Sequence, residues 1–130
     1  ALMHNLSAGL FTQALAEIRY IVEFIRGTVD SARGLPGVGD LYVTCQAGRN
    51  SRMGRLLGTG LRYLEAKAND MAAETVEGAE LALVIGPTVE RLFEQRRLDR
   101  SRLPLAVAII DAICYNRPMY IPWTKFYQFP

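Results

Sequence analysis

The segment 39–50, GDLYVTCQAGRN, places many hydrogen-bonding side chains beside apolar ones. Arg49 carries a planar fork of donors that matches pairs of phosphate oxygens, and Asn50 adds an amide donor. Gly48 lets the backbone approach a ligand closely. A helix beginning here would direct its free N–H groups and its positive dipole end to the same place. The spacing predicts an anion-binding site at these three residues.

The same residues also have a purely structural interpretation. Arg49 would then pair with a carboxylate such as Asp40, and Asn50 would only cap a helix. Asp40 has two interpretations of its own: it orients a catalytic lysine or binds a substrate hydroxyl, or it is only an N-cap. Glu77 lies in the first turn of a helix, where a carboxylate is favourable in any case. Spacing alone leaves both interpretations open.

Several kinds of site are disfavoured. The chain contains no GxSxG, HExxH or Walker motif. The glycine-rich stretch 34–39 follows an amphipathic helix, whereas a dinucleotide-binding loop follows a strand. The two cysteines, Cys45 and Cys114, form no CxxC pair, and His4 is the single histidine. We therefore expect reduced thiols, a cytoplasmic location and no metal site.

Composition limits the class of protein. The 130 residues are 50% hydrophobic and 22% charged, which is typical of one globular domain. A net charge of +2 does not predict nucleic-acid binding, and the arginines between 91 and 102 alternate with acidic residues as on a solvated surface. No apolar run approaches the roughly 20 residues that a membrane span needs, and no signal peptide opens the chain. Because the first residue is alanine, the chain is either processed or part of a longer protein.

Apolar periodicity predicts the first and second helices. The first should run from Ser7 to Arg26 and stop at Gly27, because apolar residues recur at steps of three and four. The segment 40–45 is too short to assign as strand or helix. Asn50 or Ser51 is expected to cap the next helix, which continues through about residue 57 and is closed by glycines 58 and 60.

The second half of the sequence predicts more helices. A short one spans about 63–68, and Thr75 should cap a longer one that carries Val76, Ala79, Leu83 and Val84. Pro87 should kink or restart that helix. A last helix is opened by residue 104 and ended by 116–118, and an aromatic tail without clear period follows. The fold class predicted is all-α.

Three motifs together resemble a known family. They are GDL-x-x-TC at 39–45, GRN at 48–50 and TVEG at 75–78, and the opening N-x-x-AGLF at 5–11 resembles the start of the family's long central helix. The chain is similar to the C-terminal domain of the NAD(P)-dependent glycerol-3-phosphate dehydrogenases over nearly its whole length, least so in the aromatic tail. The resemblance implies that residues 1–130 are a helical substrate-binding domain of the 6-phosphogluconate dehydrogenase-like type.

The resemblance also implies an activity and residue roles. Enzymes of this family interconvert dihydroxyacetone phosphate and sn-glycerol 3-phosphate with NAD or NADP, in a cleft between a Rossmann domain and the helical domain. Asp40 would help position the catalytic lysine at the substrate. The implied substrate-binding residues are Asp40, Thr44, Gly48, Arg49 and Asn50. The implied cofactor-binding residues are Arg49, Val76 and Glu77.

The chain departs from the family pattern in two ways. It lacks the Rossmann half with its GxGxxG loop, and it lacks the general acid/base lysine, since Lys67 and Lys125 do not match that position. Many bacterial members have serine where Gly48 stands, so a contact there would come from the backbone. We therefore expect a domain that is inactive alone. The choice between NAD and NADP is left to the absent half.

Other functions remain open from sequence alone. A free-standing helical interaction module would use the aromatic tail to dock a partner or a second copy, unless those rings fold back over the domain's own core. The rings are Tyr120, Trp123, Phe126, Tyr127 and Phe129. Sister dehydrogenases of other hydroxy acids share the two-domain plan. The partner expected is a phosphorylated triose, with no nucleic acid and no membrane span, and a homodimer is allowed.

Overall fold

A computed structural model describes residues 2–25 and 48–126, with side chains from residue 8 onward. It contains α1 (Leu2–Phe24), α2 (Arg49–Gly58), α3 (Tyr63–Asn69), α4 (Glu77–Glu94) and α5 (Pro104–Cys114). Two short 3₁₀ turns, Arg100–Arg102 and Trp123–Lys125, complete the elements. The described residues include no β-strand, which confirms the all-α prediction. None of the helices in this part of the chain is both long and apolar enough to cross a membrane.

The first helix is longer than predicted at its start. It begins at Leu2 rather than Ser7, because residues 2–6 contain neither proline nor glycine and continue the four-residue leucine spacing. It ends at Phe24, two residues before the predicted end at Arg26. The predicted stop at Gly27 and the unassigned segment 40–45 lie outside the described residues.

Pro87 neither ends nor restarts α4. The helix is continuous from Glu77 to Glu94, although proline cannot donate to the carbonyl of residue 83. Leu83 and Pro87 are both exposed, so water can satisfy that carbonyl. The opposite face of α4 packs on α5, and this packing keeps the helix intact across the proline.

One hydrophobic cluster joins α2, α3, α4 and α5. Its members are Met53, Leu57, Tyr63, Ala66, Met71, Val76, Ala79, Ala82, Ala112 and Ile113. Within α4, the buried residues are the small Ala79, Ala82 and Gly86. Leu83 and Val84, which the sequence suggested as part of the apolar stripe, are 43% and 74% exposed. Small residues face α5 because the two backbones approach closely.

Gly86 of α4 lies tightly against α5. A Cβ at this position would lie 2.7 Å from the Sγ of Cys114, which is too close for a carbon. The Cys114 thiol donates to the carbonyl of Ala82 at 3.3 Å, so the sulfur is held in place. Burial raises the pKa of this thiol, which keeps the proton for that bond. Cys114 is a free thiol, as predicted.

We expect Gly86→Ala to destabilise the chain by about 1–3 kcal/mol, because the added methyl overpacks the α4–α5 contact. Denaturant unfolding followed by circular dichroism measures this loss. Gly54→Ala is the matched control, since a Cβ there meets no atom within 4 Å. Adding Cys114→Ala to Gly86→Ala should recover part of the loss. Equal stability of Gly86→Ala and the parent would contradict the close contact.

The N-termini of α3 and α5 are capped by side chains from distant parts of the sequence. The Oδ1 of Asn116 accepts the N–H of Leu64 at 2.9 Å, in the first turn of α3. Glu17 of α1 accepts the N–H groups of Leu105 and Ala106, each at 2.8 Å. Since a proline opens α5 and has no N–H, Glu17 satisfies both free donors of that first turn.

The Glu17 carboxylate is almost fully buried. It is 4% exposed, and Gln13, 3% exposed, donates its amide N–H to the same group at 2.7 Å. Burial raises the pKa of Glu17, while the hydrogen bonds from Gln13, Ala106 and Leu105 oppose that shift. Glu17 thus links α1 to α5 through a desolvated acceptor that three donors share.

The arginines near the end of α4 pack on aromatic rings. Arg97 lies over Phe24 at 5.9 Å, Arg100 over Phe93 at 5.5 Å, and Arg102 over Tyr20 at 4.1 Å. The first and third of these contacts reach rings of α1. The cluster therefore helps fasten α1 to the rest of the domain by cation–π contacts, a role that the sequence did not indicate.

Candidate functional site

The first turns of α2 and α4 meet, and they carry two of the predicted motifs. Arg49 is the first residue of α2 and Glu77 the first residue of α4, and their side chains form an ion pair at 3.5 Å. Asn50 and Gly78 follow them, and the Gly78 N–H donates to the Oδ1 of Asn50 at 2.9 Å. GRN and VEG, 25 or more residues apart in sequence, thus form one surface.

The structure corrects both predicted caps at this surface. The N-cap of α2 is Gly48, not Asn50 or Ser51, and both of those residues lie within the helix. The N-cap of α4 is Val76 rather than Thr75, and valine has no side-chain acceptor. Asn50 supplies the missing acceptor from the neighbouring helix. Its cap function was predicted, but for the wrong helix, because sequence spacing reveals only local capping partners.

Gly48 is required by its backbone conformation. Its φ of 104° and ψ of 177° fall in a region that only glycine adopts readily. A Cβ at this position would meet no atom within 4 Å, so the constraint comes from the backbone and not from crowding. Because Gly48 has no side chain, the backbone at the start of α2 can approach a ligand closely.

The start of α2 is positively charged, whereas the first turn of α4 carries the carboxylates of Glu77 and Glu80. Each helix N-terminus carries a partial positive charge and has N–H groups without intrahelical acceptors. The first turn of α2 contains no acidic residue, and Arg49 adds a full charge. Arg49 and Glu77 have side chains 50% and 78% exposed, so their pair contributes only about 0–1 kcal/mol. An anion such as phosphate can therefore compete for Arg49.

Two other side chains hold the loop that leads into α4. Arg52 donates to the carboxylate of Glu74 at 2.6 Å and to the carbonyl of Asp70 at 2.9 Å. The Nζ of Lys67 donates to the carbonyl of Met71 at 2.9 Å. The bonds from Arg52 fasten the α3–α4 loop to α2, and the bond from Lys67 fastens it to α3. Lys67 has a structural role here, consistent with its mismatch to the family's lysine.

Three further residues, Asp40, Thr44 and Val76, were predicted to belong to the site. Asp40 and Thr44 lie outside the described residues. Val76 is 2% exposed within the core cluster, so a cofactor contact at this position would come from its backbone. Gly48, Arg49, Asn50 and Glu77 are brought together.

A cavity of about 940 Å³ lies on another surface, between α5 and the C-terminal tail. Its lining includes Arg100, Val107, Asp111, Arg117 and Tyr120. Among the predicted site residues that the structure describes, none contributes to it. Size alone does not identify a functional site, and the charged, glycine-containing helix starts remain the candidate.

The family comparison agrees with the motifs. Residues 1–120 match the family model described as NAD-dependent glycerol-3-phosphate dehydrogenase C-terminus. The chain belongs to this family. The expected resemblance is thereby confirmed, and so is the helical nature of the domain within the described residues. No solved structure gave a significant match.

Curated relatives carry consistent names. The chain is 42% identical over 82 residues to "Glycerol-3-phosphate dehydrogenase [NAD(P)+]" of Chlamydia pneumoniae, covering 62% of this chain and 24% of the relative. It is 41% identical over 112 residues to "NADP(+)-dependent glycerol-3-phosphate dehydrogenase" of Archaeoglobus fulgidus, covering 85% and 30%. It is 34% identical over 116 residues to a glycosomal NAD(+) enzyme of Trypanosoma brucei brucei, covering 87% and 30%. This chain thus spans less than a third of the length of these relatives.

Proposed function

We propose that this chain is the substrate-binding domain of an oxidoreductase that interconverts dihydroxyacetone phosphate and sn-glycerol 3-phosphate with NAD or NADP. The observation that carries the proposal is the meeting of Arg49 and Asn50 with Glu77 and Gly78 at two helix starts. A triose phosphate is small and carries a dianionic group at one end. The positive helix ends and the Arg49 fork suit that group.

Each residue has a proposed task. Arg49 binds the phosphate oxygens in a bidentate manner, Asn50 adds an amide donor, and Gly48 adds backbone contact. Glu77, 78% exposed at the start of α4, accepts a hydrogen bond from a hydroxyl of the cofactor, and its partner Arg49 also reaches the cofactor in this proposal. Val76 contributes backbone only. Asp40 positions the lysine that donates the proton, and Thr44 supports the substrate pocket.

The cofactor, when bound, supplies or accepts the hydride at the carbonyl carbon. The relatives' names include NAD(+), NADP(+) and NAD(P)+, so the family as a whole uses both nicotinamide cofactors. We propose that the nucleotide-binding domain and the catalytic lysine are provided by a further part of the protein. A homodimer and a cytoplasmic location remain predictions, and one relative is glycosomal.

The packing of the aromatic tail supports the interpretation that its rings fold back over the domain, rather than dock a partner. A Cβ on Gly9 of α1 would lie 3.7 Å from the Trp123 ring, so the indole packs on that helix. The Trp123 and Phe126 rings are 5.4 Å apart, and Met119 packs against the core cluster. Tyr120 is 75% exposed and Trp123 39% exposed, and Tyr127 and Phe129 lie outside the described residues. The described part of the tail offers no specific support for the interaction-module alternative.

The proposed function is tested with the full-length protein. We expect it to oxidise NADH or NADPH when dihydroxyacetone phosphate is added, followed as absorbance loss of the reduced cofactor. The 130-residue chain alone should show no turnover. Dihydroxyacetone without phosphate is the matched control and should be a far weaker substrate, because the Arg49 site would be empty. Equal rates with both ketones would overturn the proposed phosphate site.

A further inference from the structure

We propose that Gly78 is a positioning residue for substrate binding, which acts by fixing the carboxamide of Asn50. This inference rests on the proposed function of the Arg49–Asn50 surface. It assigns a reason to the glycine of the VEG motif, whose backbone conformation does not itself require glycine. No positive φ occurs at Gly78, so alanine is compatible with its helical conformation.

The backbone N–H of Gly78 determines which way the Asn50 amide faces. A carboxamide has one acceptor atom and one donor group. Because the N–H at 2.9 Å is a donor, the oxygen Oδ1 must face α4 and the Nδ2 group must occupy the other position. Among the described residues, no hydrogen bond is made by Nδ2. In the position opposite Oδ1, the amide protons can be donated to an anion beside Arg49.

The missing Cβ of Gly78 makes this arrangement sterically feasible. A Cβ would lie 3.0 Å from Oδ1, 3.2 Å from Cγ and 3.3 Å from Nδ2 of Asn50. All three distances are tighter than ordinary carbon contacts, and they involve the whole carboxamide rather than one flexible atom. An alanine at 78 keeps its N–H donor but pushes the carboxamide away from α4. The amide donor then moves by a few tenths of an ångström relative to Arg49.

Asn50 consequently has two functions that different substitutions separate. Its oxygen stabilises the start of α4, and its nitrogen is directed to the ligand. Asn50→Asp keeps an acceptor for the Gly78 N–H, so the cap remains, but it replaces the donor with a negatively charged oxygen. A purely structural role for Asn50 would be preserved in this variant, whereas a role in phosphate binding would be lost.

The test uses the full-length protein with Gly78→Ala, Asn50→Asp and the control Gly54→Ala. Gly54 lies in α2 with no atom within 4 Å of a Cβ, so alanine there changes helix propensity without moving Asn50. We expect Gly78→Ala to raise the KM for dihydroxyacetone phosphate about tenfold, and Asn50→Asp about tenfold to a hundredfold. The inhibition constant of inorganic phosphate should rise in parallel. The KM for NADH or NADPH should change less than threefold, and Gly54→Ala should match the parent.

The thermal midpoint separates positioning from a folding defect. We expect Asn50→Asp to unfold within a few degrees of the parent while its KM rises. If the parent is active but Gly78→Ala has the same KM and the same phosphate inhibition constant as the parent, this inference is overturned. The proposed function is then left intact. An equal loss for Gly54→Ala would also overturn this inference. Absence of turnover in the parent would instead overturn the proposed function, and this inference with it.

Discussion

Replacing Arg49 with alanine should lower kcat/KM for dihydroxyacetone phosphate by about 30- to 5,000-fold in the full-length protein. The range corresponds to about 2–5 kcal/mol, the cost of removing one partner of a hydrogen-bonded charge pair. The KM should carry most of the change, because the phosphate is bound in both the ground state and the transition state. Steady-state kinetics over a range of triose phosphate concentrations measure it.

Two further variants make this test specific. Arg55→Ala removes an exposed arginine from the last turn of the same helix and should leave the KM unchanged. Arg49→Lys keeps the charge but loses the planar fork, so it should recover only part of the binding. If Arg49→Ala behaves like the parent while Arg55→Ala is impaired, the phosphate site is wrongly placed.

Replacing Glu17 with alanine should have the largest effect on folding among the substitutions considered. The N–H groups of Leu105 and Ala106 and the amide of Gln13 would all lose their acceptor. At about 1 kcal/mol for each unsatisfied donor, we expect a loss of about 3 kcal/mol in the free energy of unfolding. Denaturant unfolding of the chain measures this loss. Glu23→Ala is the control, since Glu23 lies exposed on the same helix.

The same carboxyl should make stability depend on pH. Burial raises the pKa of Glu17 above its ordinary value of 4.5, so the folded chain holds this proton more tightly than the unfolded chain. The part of the stability that comes from this tighter proton binding is fully present below the ordinary value and is lost as the pH rises through the raised pKa. Glu17→Gln cannot titrate, so the stability difference between the parent and this variant should shrink over that interval. If the stability difference between the parent and Glu17→Gln does not change with pH, burial does not raise the pKa of Glu17.

Local signals in the sequence were sufficient for the order of the helices. Leucine and isoleucine spacing predicted α1, glycines 58 and 60 closed α2, and Pro104 opened α5, as found. The face of α4 was harder to predict. Its buried face is made of alanine and glycine, while Leu83 and Val84 are exposed. A prediction from hydrophobicity assigns large aliphatic residues to the buried face first. It cannot show that two helix backbones approach closely and therefore bury small residues.

The candidate site was predictable only through the motifs. Nothing in the spacing of Arg49 and Glu77 indicates that they are neighbours, because their contact depends on how α2 and α4 pack. The sequence does not reveal that Gln13 and Glu17 are buried, since polar residues on a helix are ordinarily exposed. It indicates Asn116 only as part of the end of α5, although the side chain of Asn116 also caps α3.

Three helices of this domain are capped by side chains from other segments of the chain, and this affects how the domain folds. α3, α4 and α5 each depend on a side chain that arrives only when another segment has docked. An excised peptide covering one of these helices lacks that partner, and short helices are marginal in water without tertiary support. Helical content and native packing should therefore appear and disappear together. Far-ultraviolet circular dichroism of this chain then reports on its assembled state rather than on residual local order.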